Sequence, residues 1–182
     1  MSRLICIGAS TGGTGAIEQI LTSLPQNMPP ILIALHMPPM YTRLFAKKLN
    51  GLCAMPVVEG CDGMAVEPGK AIVAPGKFNM SVEGNVVRCV SMDCPHLAIP
   101  SVDALFFSAA ALKDQAIGVI LTGMGSDGTE GLLAMSRAGA VTLGQDEESC
   151  VVYGMPKSAY LAGAVSRQVS LDGMAEAILE SI

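Results

Sequence analysis

Three short stretches of this sequence carry no polar side chain: Leu4-Ile5-Cys6-Ile7 before Gly8, Ile31-Leu32-Ile33-Ala34-Leu35 before His36, and Ile117-Gly118-Val119-Ile120-Leu121 before Thr122. Each is too short for a buried helix and lacks the polar/apolar alternation of a strand with one wet face. Runs of this kind suit strands covered on both sides, the habit of a parallel sheet flanked by helices. A parallel pair needs a long crossover, usually a helix, between its strands. The intervening sequence must therefore supply helices.

It does. Strands are expected near Leu4–Ile7, Ile31–Leu35, Pro56–Glu59, Ala71–Ala74, Ala116–Leu121, Ala140–Leu143 and Val165–Val169. Helices are expected at about Gly13–Leu24, Tyr41–Leu49, Ser101–Leu112, Thr129–Arg137, Pro156–Ala162 and Asp172–Ile182. Ser101, after Pro100 and before Asp103, has the chemistry of a helix cap. In the middle, Asn79–Glu83 and Val86–Val90 flank Gly84-Asn85, a two-residue hairpin turn. The expected fold is α/β: one doubly wound, mostly parallel sheet with an inserted antiparallel β-hairpin. The 182 residues fit a single domain. No linker, repeat or low-complexity segment divides them.

Composition excludes several function classes. The net charge is −5 and no Lys/Arg cluster exists, which argues against nucleic acid and anionic membranes as partners. No apolar run approaches the roughly 20 residues of a membrane span, so direct membrane insertion is not expected. Only four apolar residues follow Met1-Ser2-Arg3 before Gly8, too few for a signal-peptide core, and a cytoplasmic protein is expected. The six cysteines are irregularly spaced and read as reduced thiols. Cys89, Cys94 and His96 lack a paired Cys-x-x-Cys partner, so neither a metal nor another cofactor is expected.

In a doubly wound sheet, ligands bind beyond the carboxyl ends of the strands. Three loops there carry chemistry. Gly8-Ala9-Ser10-Thr11-Gly12 is a Gly-x-Ser-x-Gly turn between strand and helix, where a serine stands among free backbone N–H groups. Ser10 alone reads equally as a helix cap, and the glycines as a phosphate cradle. A dinucleotide site, however, wants Gly-x-Gly-x-x-Gly and an acid after the second strand. Ser10 stands at the middle glycine and His36 where the acid belongs. His36 follows its strand directly and falls on the same edge, although a lone histidine there is often structural. Asp127, in Thr122-Gly123-Met124-Gly125-Ser126-Asp127-Gly128, is placed to accept the second imidazole proton, or to cap the helix after it. Asp146 is the reserve acid. Ser10, His36 and Asp127 make a triad in an order that ordinary α/β-hydrolases do not use.

Ile7-Gly8-Ala9-Ser10-Thr11-Gly12-Gly13, His36-Met37-Pro38-Pro39, Leu121-Thr122-Gly123-Met124-Gly125 with Asp127-Gly128, and Ser149-Cys150-Val151-Val152 with Gly154-Met155-Pro156 closely resemble the chemotaxis protein-glutamate methylesterase family. Pro100-Ser101-Val102-Asp103 with Leu105-Phe106 is similar too, and the likeness covers nearly the whole chain. The resemblance implies Ser10 as nucleophile, His36 as general base and acid, and Asp127 as its orienting carboxylate. It implies an oxyanion site near Thr11 and the backbone N–H of Met124, and no cofactor. The implied substrates are glutamate γ-methyl esters on cytoplasmic helices of chemoreceptors, with deamidation of receptor glutamines in some members. Family members usually carry an N-terminal receiver domain, which is expected to be absent from this chain because its first strand begins at once. Lys77-Phe78-Asn79 and Leu97-Ala98-Ile99 replace polar and basic residues usual in the family, and a substrate-reading rim is expected there.

Overall fold

The apolar runs become the interior of one sheet. The computed structural model describes residues 3–91 and 99–182. Its elements begin with β1 (Leu4–Ala9), α1 (Gly13–Ser23), β2 (Ile31–Leu35), α2 (Pro39–Asn50), β3 (Val57–Glu59) and β4 (Ala71–Val73). A hairpin of β5 (Phe78–Glu83) and β6 (Val86–Ser91) follows, then α3 (Val102–Ala110), a 3-10 turn at Lys113–Gln115 and β7 (Ala116–Ile120). The chain ends with α4 (Thr129–Arg137), β8 (Val141–Gln145), α5 (Met155–Leu161), β9 (Arg167–Val169) and α6 (Leu171–Glu180).

The seven-stranded sheet has the order β3-β4-β2-β1-β7-β8-β9, and every pairing in it is parallel. After β1 the chain builds one side of the sheet, then returns past β1 to build the other. The switch point therefore lies between β1 and β7, where such folds open a crevice at the strand C-termini. The expected α/β architecture with its antiparallel hairpin is the one observed.

The strand period of two sorts side chains onto two faces. Ile5, Ile7 and Ala9 of β1 and Ile31, Ile33 and Leu35 of β2 pack against α1, α2 and α6. Cys6, Leu32 and Ala34 face α3, α4, α5 and the hairpin. The next residue of β1 is Ser10 and the next of β2 is His36, so continued alternation aims both toward the α3 side.

Boundaries shift for local reasons. Helix α2 begins at Pro39 rather than Tyr41, since proline suits the first helical turn. Strand β8 continues to Gln145. Strand β9 starts only at Arg167: Val165 closes over Gly144, and Ser166 is taken up by Thr142 through N–H to Oγ1 (3.0 Å) and Oγ to the carbonyl (2.6 Å). Helix α6 starts one residue early because Ser170 caps it, accepting from the Gly173 N–H.

Helix α3 crosses the sheet over β1 at a point where only glycine fits. A Cβ on Gly8 would stand 2.1 Å from Val102 Cγ1 and 3.1 Å from Phe106 Cζ. Gly8→Ala is therefore expected to cost about 1–3 kcal/mol, the range for overpacking a filled core. It should also push the start of α3 away from the sheet. Denaturant melting checks the first effect; a wild-type midpoint would show that α3 is not seated on Gly8.

Candidate active site

Strand register brings the three expected residues to one place. Ala9 pairs with Leu35, and Gly8 with Ile120. The ladder continues past the strand ends: His36 N–H donates to Ala9 O (3.1 Å), Leu121 N–H to Gly8 O (2.9 Å) and Ser10 N–H to Thr122 O (3.0 Å). Ser10 and His36 thus leave neighbouring strands side by side, about 4.8 Å apart by sheet spacing. Gly123 passes directly beside the serine, where a Cβ would lie 2.8 Å from Ser10 Cβ.

His36 Nε2 meets Asp127 Oδ2 at 2.6 Å. The ring nitrogen left over is Nδ1, which has no hydrogen-bond partner among the described residues. The same holds for the Ser10 hydroxyl, which is half-buried. The imidazole is therefore fixed from one side and open on the other.

Asp127 does not cap the helix after it. Helix α4 is preceded by Gly128 in a left-handed conformation, with no side-chain cap. The carboxylate turns instead to the N-terminus of α3. Oδ2 accepts from the Val102 N–H (2.8 Å), while Oδ1 accepts from the Asp103 N–H (3.0 Å) and Ser101 Oγ (3.1 Å). Ser101 also caps α3 as expected, accepting from the Ala104 N–H. Its own N–H is held by Asn79 Oδ1 of the hairpin (2.9 Å). Burial alone would push the Asp127 carboxyl up. The His36 hydrogen bond, the Asp103 and Val102 N–H groups and the nearby imidazole outweigh it, so the group lies below the usual carboxylate range. Beside it, Asp103 lies above that range. Burial is the main cause, relieved by the Gly131 N–H and reinforced by the charge of Asp127.

Asp146 is engaged elsewhere. Its Oδ1 accepts from Ser149 Oγ (2.6 Å) and N–H (3.1 Å), bracing the turn after β8. The reserve acid is occupied, and Asp127 is the carboxylate on His36.

The loops are stitched together by two buried polar residues that sequence reasoning did not single out. Thr122 Oγ1 donates to Thr11 O (3.0 Å) and accepts from the Val152 N–H (3.0 Å). Gln145 Oε1 accepts from the Thr122 N–H (2.8 Å), and its Nε2 donates to Ser149 O (2.8 Å). The available signal was an amide just past an expected strand, on the ligand edge of the sheet. Near these loops Cys150 offers no competing thiolate at neutral pH. Burial pushes it up to about 11, only partly opposed by Thr122 and reinforced by Asp146 and Glu147.

Around Ser10, helix α1 is preceded by Gly12, left-handed and without a side-chain cap, and its first N–H, on Gly13, is held by Ser10 O (2.7 Å). The backbone N–H groups of Thr11 and Met124 find no acceptor among the described residues, and both side chains are exposed. Such donors suit an anion developing next to Ser10. Among the described residues no group of three or more His, Cys, Asp or Glu is arranged to hold a metal ion; Cys94 and His96 lie outside them. Nor is any helix among the described residues long and apolar enough to cross a membrane.

Of the expected rim, Leu97 and Ala98 lie outside the described residues. Lys77 and Phe78 are exposed, while Asn79 is turned to Ser101.

Residues 5–178 match the family model described as CheB methylesterase. A protein-glutamate methylesterase/protein-glutamine glutaminase 1 of Dechloromonas aromatica is 49% identical over 185 residues, covering 99% of this chain and 53% of the relative. One of the same name in Caulobacter vibrioides is 50% identical, covering 97% and 53%. The chain spans about half the length of the curated relatives it matches. The crystal structure of the Thermotoga maritima CheB methylesterase catalytic domain superposes with a TM-score of 0.94 at 34% identity, covering 100% of both chains.

Proposed function

The chain belongs to the CheB methylesterase family, and we propose that it hydrolyses glutamate γ-methyl esters on cytoplasmic helices of methylated chemoreceptors. The observation that carries the reading is the 2.6 Å pair between His36 Nε2 and Asp127 Oδ2, set beside Ser10 by the register of β1 and β2. In this reading Ser10 Oγ attacks the γ-carbonyl carbon as its proton passes to His36 Nδ1. Asp127 holds the Nε2–H and steadies the imidazolium. The N–H groups of Thr11 and Met124 receive the oxyanion. Collapse breaks the C–O bond, and His36 gives its proton to the departing methoxy oxygen, which leaves as methanol. Water, with His36 again as base, releases the glutamate carboxylate and restores Ser10. The same steps on a glutamine side chain expel ammonia, which accommodates the glutaminase half of the relatives' names.

His36 must be neutral to accept the proton. No metal or organic cofactor enters this scheme. The enzyme would work in the cytoplasm, where receptor helices are accessible; in longer family members a receiver domain is the added partner.

Methanol release from a methylated receptor cytoplasmic fragment, set against a panel of small methyl esters, tests the substrate. Faster turnover of the receptor, by kcat/KM, is expected. Turnover of small esters alone would instead mark a free-standing esterase with a non-receptor substrate.

A further inference from the structure

The segment that leads into α5 holds Gly123 by both of its backbone groups. Gly123 and Tyr153 form a short parallel bridge. The Gly123 N–H donates to Val152 O (3.0 Å), and Gly123 O accepts from the N–H groups of Gly154 (3.1 Å) and Met155 (2.8 Å) at the start of α5. A trans peptide points its C=O and its N–H in opposite directions. The peptide joining Thr122 to Gly123 sends its N–H to Val152, so its carbonyl faces away from that segment and meets the Ser10 N–H at 3.0 Å. The next peptide is turned over. Its carbonyl, on Gly123, faces the start of α5, so its N–H, on Met124, faces the Ser10 side. The Thr11 N–H is set by the same logic, because the Ser10 carbonyl of its peptide is pinned by the Gly13 N–H at 2.7 Å.

The clamp on Gly123 is tight. A Cβ on Gly154 would stand 2.6 Å from Gly123 O, 3.1 Å from Gly125 N and 3.2 Å from Met124 Cα. All three are backbone atoms of the loop that carries the Met124 N–H, so none can swing aside as a side chain would. Gly154 itself has a φ of −108°, on the side of the map open to residues with a Cβ. Only the close approach calls for glycine there. Met155 closes on the same residue with its side chain: a Cβ on Gly123 would lie 2.4 Å from Met155 Sδ, and Met155 is fully buried. Two donors on one carbonyl also polarise its peptide, which strengthens the N–H at the other end.

We propose that Gly154 is a positioning residue of the esterase: by letting the start of α5 close on the Gly123 carbonyl, it aims the Met124 N–H at the oxyanion formed on Ser10. The inference rests on the methylesterase reading and adds what aims one of its two oxyanion donors. Gly154→Ala keeps Ser10, His36 and Asp127 and forces the Gly123 carbonyl to move. The Met124 N–H turns with it, since both belong to one rigid peptide.

The test uses the 182-residue chain labelled with heavy-nitrogen methionine for NMR, its Met124 amide assigned by loss of the signal in Met124→Leu. An alkyl fluorophosphonate is the probe. Ser10 Oγ bonds to phosphorus, fluoride leaves with the Ser10 proton, and a phosphoryl oxygen takes the place of the oxyanion. On labelling, the Met124 amide proton of wild type is expected to move downfield, and in Gly154→Ala that movement should be lost. The variant's kcat on a methylated receptor fragment and on a small N-acyl glutamate γ-methyl ester should fall about 10- to 100-fold with KM within about twofold, since a whole oxyanion donor is worth about 10²–10³ in kcat. Its labelling rate should fall with kcat. Gly118→Ala controls for crowding alone: there a Cβ stands 2.5 Å from Leu132 Cδ1, in mid-β7, so the melting temperature should drop and kcat stay. A wild-type Met124 amide unmoved by complete labelling overturns the proposal, and that arm needs no variant to fold. So does Gly154→Ala with wild-type kcat, or with lost kcat while Met124 still shifts, or an equal kcat loss in Gly118→Ala. A wild-type chain that takes the label yet releases no methanol from either ester overturns the methylesterase reading instead.

Discussion

Ser10→Ala should lower methanol release by a factor of about 10⁴ to 10⁶, the scale on which serine hydrolases lose kcat without their nucleophile. The melting temperature should stay close to wild type. The Ser10 side chain is half-buried and its hydroxyl bonds nothing among the described residues, so deleting it belongs with changes worth less than about 0.5 kcal/mol. Labelling by a fluorophosphonate should vanish in the same variant. Chemistry and stability come apart here because the serine leaves the ladder only by its side chain. Its N–H remains bonded to Thr122 O and its carbonyl to the Gly13 N–H. Retention of full turnover would remove Ser10 from the mechanism and leave the adjoining His36–Asp127 pair without a nucleophile to serve.

Asp127→Asn should be nearly as severe for kcat, about 10⁴-fold, because an amide no longer accepts the Nε2 proton and the wrong imidazole tautomer is favoured. Here stability should fall too. Two carboxylate oxygens accept four donors: His36 Nε2, the Val102 and Asp103 N–H groups and Ser101 Oγ. An asparagine offers one oxygen and an NH₂, so whichever way it turns, the backbone N–H of Val102 or of Asp103 faces a donor. A loss of about 1–3 kcal/mol follows from leaving such groups unsatisfied. The pH dependence has a definite sign. The carboxyl is depressed in the folded state, so its contribution to stability is present above the unfolded value of about 3.9 and fades as pH falls through the folded one. Asp103 works in the opposite direction. Its carboxyl is raised, so its contribution is present below about 3.9 and is lost as pH rises through its folded value. Urea melts between pH 7 and pH 3 should show a steeper acid loss in wild type than in Asp127→Asn. Asp146→Asn should disturb the Ser149 turn and spare kcat; a larger kcat loss there than at position 127 would identify a different acid.

The sheet was legible because strands buried on both faces cannot hide: β1, β2 and β7 carry no polar side chain for the eye to mistake. The hairpin announced itself through Gly84-Asn85 between two alternating segments. The site was legible for a related reason. A serine, a histidine and an aspartate each follow an apolar run or its glycine turn, and parallel strands must deliver their ends to one edge. What the chain did not disclose was which partner a polar group would choose. Asp127 has a helix immediately after it, yet bonds one that starts 25 residues before it, because Gly8 and Gly128 both let Val102 come close. Gln145 and Thr122 look like ordinary residues until three loops converge on them. Exposed apolar side chains were expected at residues 77–79 and 97–99. Around the crevice they include Met40, Met124 and Val151, since an amphipathic pattern does not say how wide its covered stripe will be.

The double duty of Asp127 has a consequence for how such a chain can change over generations. Among the described residues the Ser10 hydroxyl makes no hydrogen bond and the His36 ring bonds only Asp127, so a descendant that abandons catalysis is free to drift at both positions. Asp127 has no such freedom, because the start of α3 hangs on it through two amides and a hydroxyl. Inactive descendants of this fold should therefore be recognisable by an aspartate that has outlived the serine and the histidine it once served.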